Sequence, residues 1–292
     1  MRYLLFAAAL VVGAAMTTVT HVAAAAPINV VVAENFYAEA VKAIGGNVAF
    51  SEIISNPNAD PHDFEPTPST AKAVADAAIV IYNGIDYDAW MDKLIAASKA
   101  PKRTVINVGT LLKRKAGDNP HLWYDPAAMP ALVDAVVKAL SAADAAGASG
   151  YADRAKAYKM QLAAITTRIA AVKAKYAKAP VTATEPVFGY MATALGLDMR
   201  NQSFQRAIMN ETEPSAKDTA AMEADLKGAK VKVLFYNSQV TDTVTEHLLA
   251  LAKAAKVPVV AVTETKPADL TYIQWMLNEI DATERALAGP AA

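Results

Sequence analysis

The sequence predicts an α/β protein of two lobes with mostly parallel sheets, joined by a long rigid connecting helix. Three observations carry this. Short β-branched apolar runs alternate with helix-period segments from residue 28 to 108, and the same alternation resumes after Pro180. Between the two stretches, Tyr151 to Lys178 runs without proline or glycine and keeps apolar residues three to four apart. Alternation of this kind implies parallel strands covered on both faces by helices.

In chain order, Ile28–Ala33 reads as a buried strand and Glu34–Ile44 as a helix with Phe36, Ala40, Val41 and Ile44 on one side, stopping at Gly45-Gly46. Val48–Ile54 is a second strand. Thr67 then serves as N-cap, with Pro68 at the first helical position, for a helix reaching about Ala77. Ala78–Tyr82 is a strand ending at Asn83-Gly84, Trp90–Ala97 a helix, Thr104–Val108 a strand and Pro130–Ala142 a helix; Gly147 and Gly150 mark a break. The connecting segment places Tyr158, Leu162, Ile165, Ile169 and Val172 on one stripe. At 1.5 Å per residue it spans about 40 Å, enough to reach from one lobe to the other. Beyond Pro180, the expected elements are a strand at Val181–Thr184, a helix at Phe188–Leu195, loop or strand over Met199–Ile208, and a helix capped by Ser215 with Asp218 three residues on. A strand at Val231–Tyr236, a helix at Thr241–Ala255, a strand at Pro258–Val262 and a helix at Thr271–Ala288 complete the chain. The expected division is a signal peptide at 1–26, an N-terminal lobe at 27–148, the connecting helix at 149–178 and a C-terminal lobe at 179–292.

The start, Met1-Arg2-Tyr3 followed by Leu4–Val12 and then Ala23–Ala26, reads as a secretory leader cleaved before Pro27. Loss of Arg2 moves the net charge from −1 to −2, which gives no electrostatic reason for a nucleic-acid partner. The chain has no cysteine, which excludes disulfides, thiolate ligands and a thiol nucleophile, and leads us to expect a soluble periplasmic protein without a lipid anchor.

Four histidines occur, and one of them, His21, lies in the leader. His62 and His121 share a setting, in Asp60-Pro61-His62-Asp63-Phe64-Glu65-Pro66 and Asn119-Pro120-His121-Leu122-Trp123. Each follows a proline that fixes its own backbone and restricts the residue before it, so both imidazoles sit in stiff turns. Glu185 and Glu264 are carboxylates just past predicted strands of the second half, a position that does not by itself select them from the 29 acids. Two histidines and two carboxylates suit a divalent first-row metal, and oxygen-rich sets shift the balance from zinc towards manganese or iron. His247 reads as a flanking helical residue. Trp90 and Trp275 read as core, and Trp123 as core or as a cover over the metal loop. Asp60, Asp63, Glu65 and Asp125 read as orienting acceptors or plain turn and helix-start residues, with Asp125 favoured for the latter.

These histidine motifs, together with Tyr82-Asn83-Gly84 and Glu213-Pro214-Ser215-Ala216-Lys217-Asp218, resemble the metal-binding solute-binding proteins of bacterial zinc and manganese ABC importers. The resemblance covers essentially the whole mature chain. It implies two pseudo-symmetric lobes, one divalent ion (Mn²⁺, Zn²⁺ or Fe²⁺) in the cleft, and His62, His121, Glu185 and Glu264 as its ligands. The expected partner is an ABC-transporter membrane permease, with the protein itself a monomer. Glu185 falls where zinc-type members usually carry histidine and manganese-type members glutamate. Glu264 replaces the family's usual aspartate, and Asp269 is a substitute for it. The histidine-rich loop of zinc-type members is missing between Asn107 and Asn119. Competing readings are a binding protein for an organic metal chelate, a metal-dependent hydrolase, and an adhesion protein acting through an exposed patch.

Overall fold

In the computed structural model, residues 27–56, 64–98, 100–240 and 242–289 are described. The leader and His62 lie outside these residues. Strands β1 (Asn29–Glu34), β2 (Ala49–Ile54), β3 (Ile79–Tyr82) and β4 (Thr104–Asn107) form a parallel sheet in the order β2-β1-β3-β4. Strands β5 (Pro180–Ala183), β6 (Asp198–Met199), β7 (Leu234–Asn237) and β8 (Val259–Val262) form a second parallel sheet in the order β6-β5-β7-β8. The two orders are the same when each half is counted from its own first strand, so the lobes are pseudo-symmetric.

The helices of the first half are α1 (Asn35–Gly45), α2 (Pro68–Asp76), α3 (Ala89–Ala97), the single turn α4 (Val108–Leu111) and α5 (Ala128–Ala143). Thr67 caps α2 as expected, and its hydroxyl accepts from the Thr70 amide. At the end of β3 the chain turns through Gly84 at φ +76°, where a side chain would also run into Asn107. Only glycine meets both demands.

The connecting helix α6 (Ala148–Tyr176) begins one residue before the expected 149, ends two before the expected 178, and contains Gly150, which was expected to mark a break. The side chain of Arg154, one turn on, lies 3.1 Å from where a Gly150 Cβ would be, and its Nε donates to the Ile44 carbonyl at 2.6 Å. Gly150 therefore marks no chain break but lies inside the helix beside that guanidinium. The predicted stripe is buried from Tyr151 to Val172 and packs on α1 and α5 of one lobe and on α11 (Tyr272–Ala288) of the other. Arg168 on the same helix pairs with Asp281 and Glu284 of α11.

The second half adds α7 (Gly189–Ala194), α8 (Gln202–Met209), α9 (Ala216–Lys227) and α10 (Thr243–Ala254). Residues 199–208, expected as loop or strand, contain only the end of β6 and then α8. Asn201, in the left-handed region at φ +57°, turns the chain, and burial of Phe204 and Gln205 holds the helix. Tertiary burial here overrides a short segment with no long apolar period.

One apolar core runs through both lobes, from β1 through α5 and α6 to β5, β7, β8 and α11. Its centre is an aromatic row across the junction. Phe36 lies 4.6 Å from Trp123, Tyr124 lies 5.2 Å from Phe188, and Phe188 stacks on Phe235 at 4.7 Å. Trp275 is 1% and Trp90 8% exposed, core residues as expected. No helix among the described residues is long and apolar enough to cross a membrane.

Candidate metal centre

His121 precedes the short 3-10 turn Leu122–Tyr124, in the loop between α4 and α5. Glu185 stands two residues beyond β5, at the start of the 3-10 turn Pro186–Phe188, and Glu264 two residues beyond β8. All the flanking strands deliver their carboxyl ends to the same cleft, as open α/β sheets do at ligand sites.

The three side chains meet there. His121, Glu185 and Glu264 are 0, 7 and 4% exposed, and one ligand atom from each lies within 4.8 Å of the others. His121 Nε2 is 3.7 Å from Glu264 Oε2. Two bonds of about 2.1 Å meeting at a tetrahedral angle span about 3.4 Å, so this spacing fits one shared ion.

Hydrogen bonds fix the state of the imidazole. Asn119 Nδ2 donates to the Pro186 carbonyl at 2.7 Å, which turns Asn119 Oδ1 towards His121. That oxygen can only accept, so the ring Nδ1, 2.6 Å away, carries the proton. Nε2 is left with its lone pair, buried and with no hydrogen-bond partner among the described residues. A buried acceptor without a partner is costly unless something fills its place. An ion between the three donors would do so. The ring is also set edge-on to Trp123 at 5.3 Å, and Trp123 is fully buried, so it serves both roles expected of it.

The carboxylates have their own support. Asn237, the last residue of β7, donates through Nδ2 to Glu264 Oε1 at 2.7 Å and to Glu185 Oε2 at 3.3 Å, while its Oδ1 accepts from the Gln239 amide. Gln239 Oε1 in turn accepts from the Glu264 amide at 2.5 Å and the Thr265 amide at 3.3 Å. Neither residue was singled out from the sequence. The available signal was position: Asn237 ends a buried strand beside the one that delivers Glu185.

Asp269 is exposed and outside this cluster. His247 is exposed on α10 and lies 3.0 Å from Glu223. Asp125 takes the bland role, accepting from the Ala127 amide and pairing with Arg114. Glu65 is exposed, while Asp60, Asp63 and His62 lie outside the described residues. Ile54 is buried at the end of β2 on one side of that stretch, and Phe64 packs on Trp90 at 4.6 Å on the other.

The loops carrying the second-lobe carboxylates are tied to the first lobe. Besides the Asn119–Pro186 bond, Tyr190 donates to the Asn119 carbonyl at 2.8 Å. Gly189 allows this approach, since a Cβ there would lie 3.0 Å from Asn119 Nδ2. Around Glu264, Tyr124 donates to the Thr263 carbonyl, and Asn35 bonds both the amide and the carbonyl of Lys266.

Residues 30–286 match the family described as zinc-uptake complex component A, periplasmic. The iron-binding protein YfeA of Yersinia pestis is 26% identical over 210 residues, which cover 68% of this chain and 66% of that protein. The metal ABC transporter substrate-binding lipoprotein SloC of Streptococcus mutans is 25% identical over 252 residues, covering 80% of this chain and 79% of that one. Among solved structures, the periplasmic zinc-binding protein TroA of Treponema pallidum aligns with a TM-score of 0.75 at 22% identity, over 91% of this chain and 100% of that chain. The SBP FpvC of Pseudomonas aeruginosa, in complex with Mn²⁺, aligns at 0.73 and 22% identity, over 90% and 99%. At these identities the structural likeness establishes the two-lobed fold.

Proposed function

We infer the function from the premise that this chain belongs to the periplasmic zinc-uptake component A family. It is a solute-binding protein that captures one divalent transition-metal ion, zinc, manganese or iron, and supplies it to an ABC importer. It is not an enzyme. The family is periplasmic or extracellular, and its members work with a membrane permease. The observation that carries the reading is the buried Nε2 of His121, without a hydrogen-bond partner among the described residues and beside Glu185 and Glu264.

In this reading His121, Glu185 and Glu264 hold the ion together with His62, brought by the turn between Ile54 and Phe64. The chain acts as a monomer, with lobes 27–148 and 179–292 and helix 149–178 as the strut between them. Two imidazoles and two carboxylates favour manganese or iron by their oxygen content, although zinc binds such donors tightly under the Irving–Williams order. The continuous core, α6 and the inter-lobe hydrogen bonds support release by movement of loops rather than by wide opening of the lobes.

The test is metal analysis of stripped protein offered equimolar manganese, iron and zinc. One ion per chain is expected, lost in His121→Ala, His62→Ala and Glu185→Ala, with Glu185→His moving preference towards zinc. No stoichiometric binding of any of the three would overturn the reading. Full binding by His62→Ala would remove that residue from the ligand set.

A further inference from the structure

A pocket of about 350 Å³ opens from the metal centre along the second lobe. Its floor is His121, Glu185 and Glu264, all buried. Its rim carries Glu211 and Glu213, both exposed, and the half-buried Asp242. Among the described residues no lysine or arginine lines it. Neither Glu211 nor Glu213 forms an ion pair among the described residues, whereas nearby in the chain Arg200 pairs with Asp225, and Lys227 and His247 both lie against Glu223.

The two rim carboxylates are held in place by the backbone. Glu211 takes a left-handed conformation at φ +53°, its amide donating to the Ile208 carbonyl at 2.8 Å, and the Thr212 amide donates to Ala207 at 2.9 Å, which ends α8. Pro214 is buried and Ser215 caps α9 just beyond Glu213. The charges therefore stand on a fixed turn at the mouth of a pocket whose floor contains a buried imidazole nitrogen with no hydrogen-bond partner among the described residues.

We propose that Glu211 and Glu213, with Asp242 behind them, form an acidic entrance that gathers the hydrated divalent cation and passes it to the buried donors. The proposal rests on the metal-carrier reading of that floor. A hydrated ion meets the protein before it loses water, so its capture rate scales with its local concentration at the mouth. A field that concentrates a monovalent ion by some factor concentrates a divalent ion by the square of that factor. The entrance therefore favours divalent cargo over abundant monovalent ions before any ligand is engaged. Asp242 also caps α10 through the Thr245 amide, so the two glutamates are the residues to change.

The experiment is stopped-flow binding of Mn²⁺ to the metal-free protein, read by tryptophan fluorescence, since Trp123 lies against His121. Glu211→Gln/Glu213→Gln is compared with wild type over a series of salt concentrations, with the thermal midpoint confirming the fold. At low salt the association rate falls about three- to tenfold, around the low end of electrostatic steering effects. The dissociation rate stays as in wild type, and the difference closes towards 1 M salt, where the Debye length is about 3 Å. Equal association rates and equal salt slopes would overturn the entrance. So would a faster dissociation that persists at high salt, which would make one of the glutamates a direct ligand. If the wild type itself takes up no metal, it is the carrier reading that fails.

Discussion

Asn119 Oδ1 stands 2.6 Å from His121 Nδ1, while the same amide group donates to Pro186 in the other lobe. One side chain thus sets the tautomer of the imidazole and the spacing of the lobes beside it. Asn119→Ala removes the acceptor and leaves the ring free to carry its proton on Nε2, the atom proposed to bind the metal. Loss of such an orienting partner typically weakens metal affinity by about 10–100-fold. Competitive titration against a chelator measures this, and an affinity within twofold of wild type would mean that something else sets the tautomer.

Asn237 keeps Glu185 and Glu264 together by donating to both. In Asn237→Asp that donor becomes a third carboxylate. The metal-free protein should melt at a lower temperature, because three like charges then share a buried site. Metal supplies the missing positive charge, so the gap between metal-free and metal-loaded midpoints should widen. Calorimetry of both forms decides it. An unchanged metal-free midpoint would show that Asn237 does not hold the pair.

Much of this arrangement was legible in the sequence because it rests on local signals. The alternating runs, the Thr67 and Ser215 caps and the proline-held turn of His121 are each written within a few residues. Glu185 and Glu264 could be named only through family resemblance, since a carboxylate after a strand is common and its meeting with His121 depends on packing between distant segments. Asn237, Gln239 and Asn35 were missed for the same reason: each acts on a group at least two residues away and mostly in another element. Helix α8 was missed because eight residues carry too few helical turns to show a period, and burial of Phe204 settled the matter.

Glu34 and Asp88 face each other with 0% exposure behind the site. Burial raises the Glu34 carboxyl well above its ordinary value, and the Asp88 charge raises it further. Burial also pushes Asp88 up to about 6, against the opposing amides of Gly84 and Asn83. The folded state therefore holds more protons than the unfolded chain from about pH 4 upward, and stability falls as pH rises through that window. Glu34→Gln carries no proton to lose. It should raise the metal-free melting midpoint at pH 7.5 and flatten its decline above about pH 4.5. A midpoint that drops at pH 7.5, or a decline as steep as in wild type, would show that Glu34 is ionised in the fold.

Asn35 and Lys266 are 4 and 5% exposed and exchange two hydrogen bonds across the lobes: Asn35 Nδ2 donates to the Lys266 carbonyl at 2.8 Å, and the Lys266 amide donates to Asn35 Oδ1 at 3.1 Å. Asn35→Ala strands both backbone groups, at a cost of about 1–3 kcal/mol each for a buried group left unmade. That corresponds to a fall of several degrees in the melting midpoint of a protein of this size. The affinity should fall as well, because Glu264 lies two residues from the tie. The second tie to that loop, Tyr124 to the Thr263 carbonyl, brackets Glu264 from the other side. Tyr124→Phe alone should then weaken metal binding only slightly, since Asn35 still holds the loop. With both ties cut, the loop keeps Gln239 and Asn237 of its own lobe and the Lys266–Glu39 pair across the lobes, and the combined loss in affinity should exceed the sum of the single losses. If the double variant binds as tightly as wild type, Gln239 and Asn237 suffice to position Glu264, and these two inter-lobe ties serve stability without shaping the site.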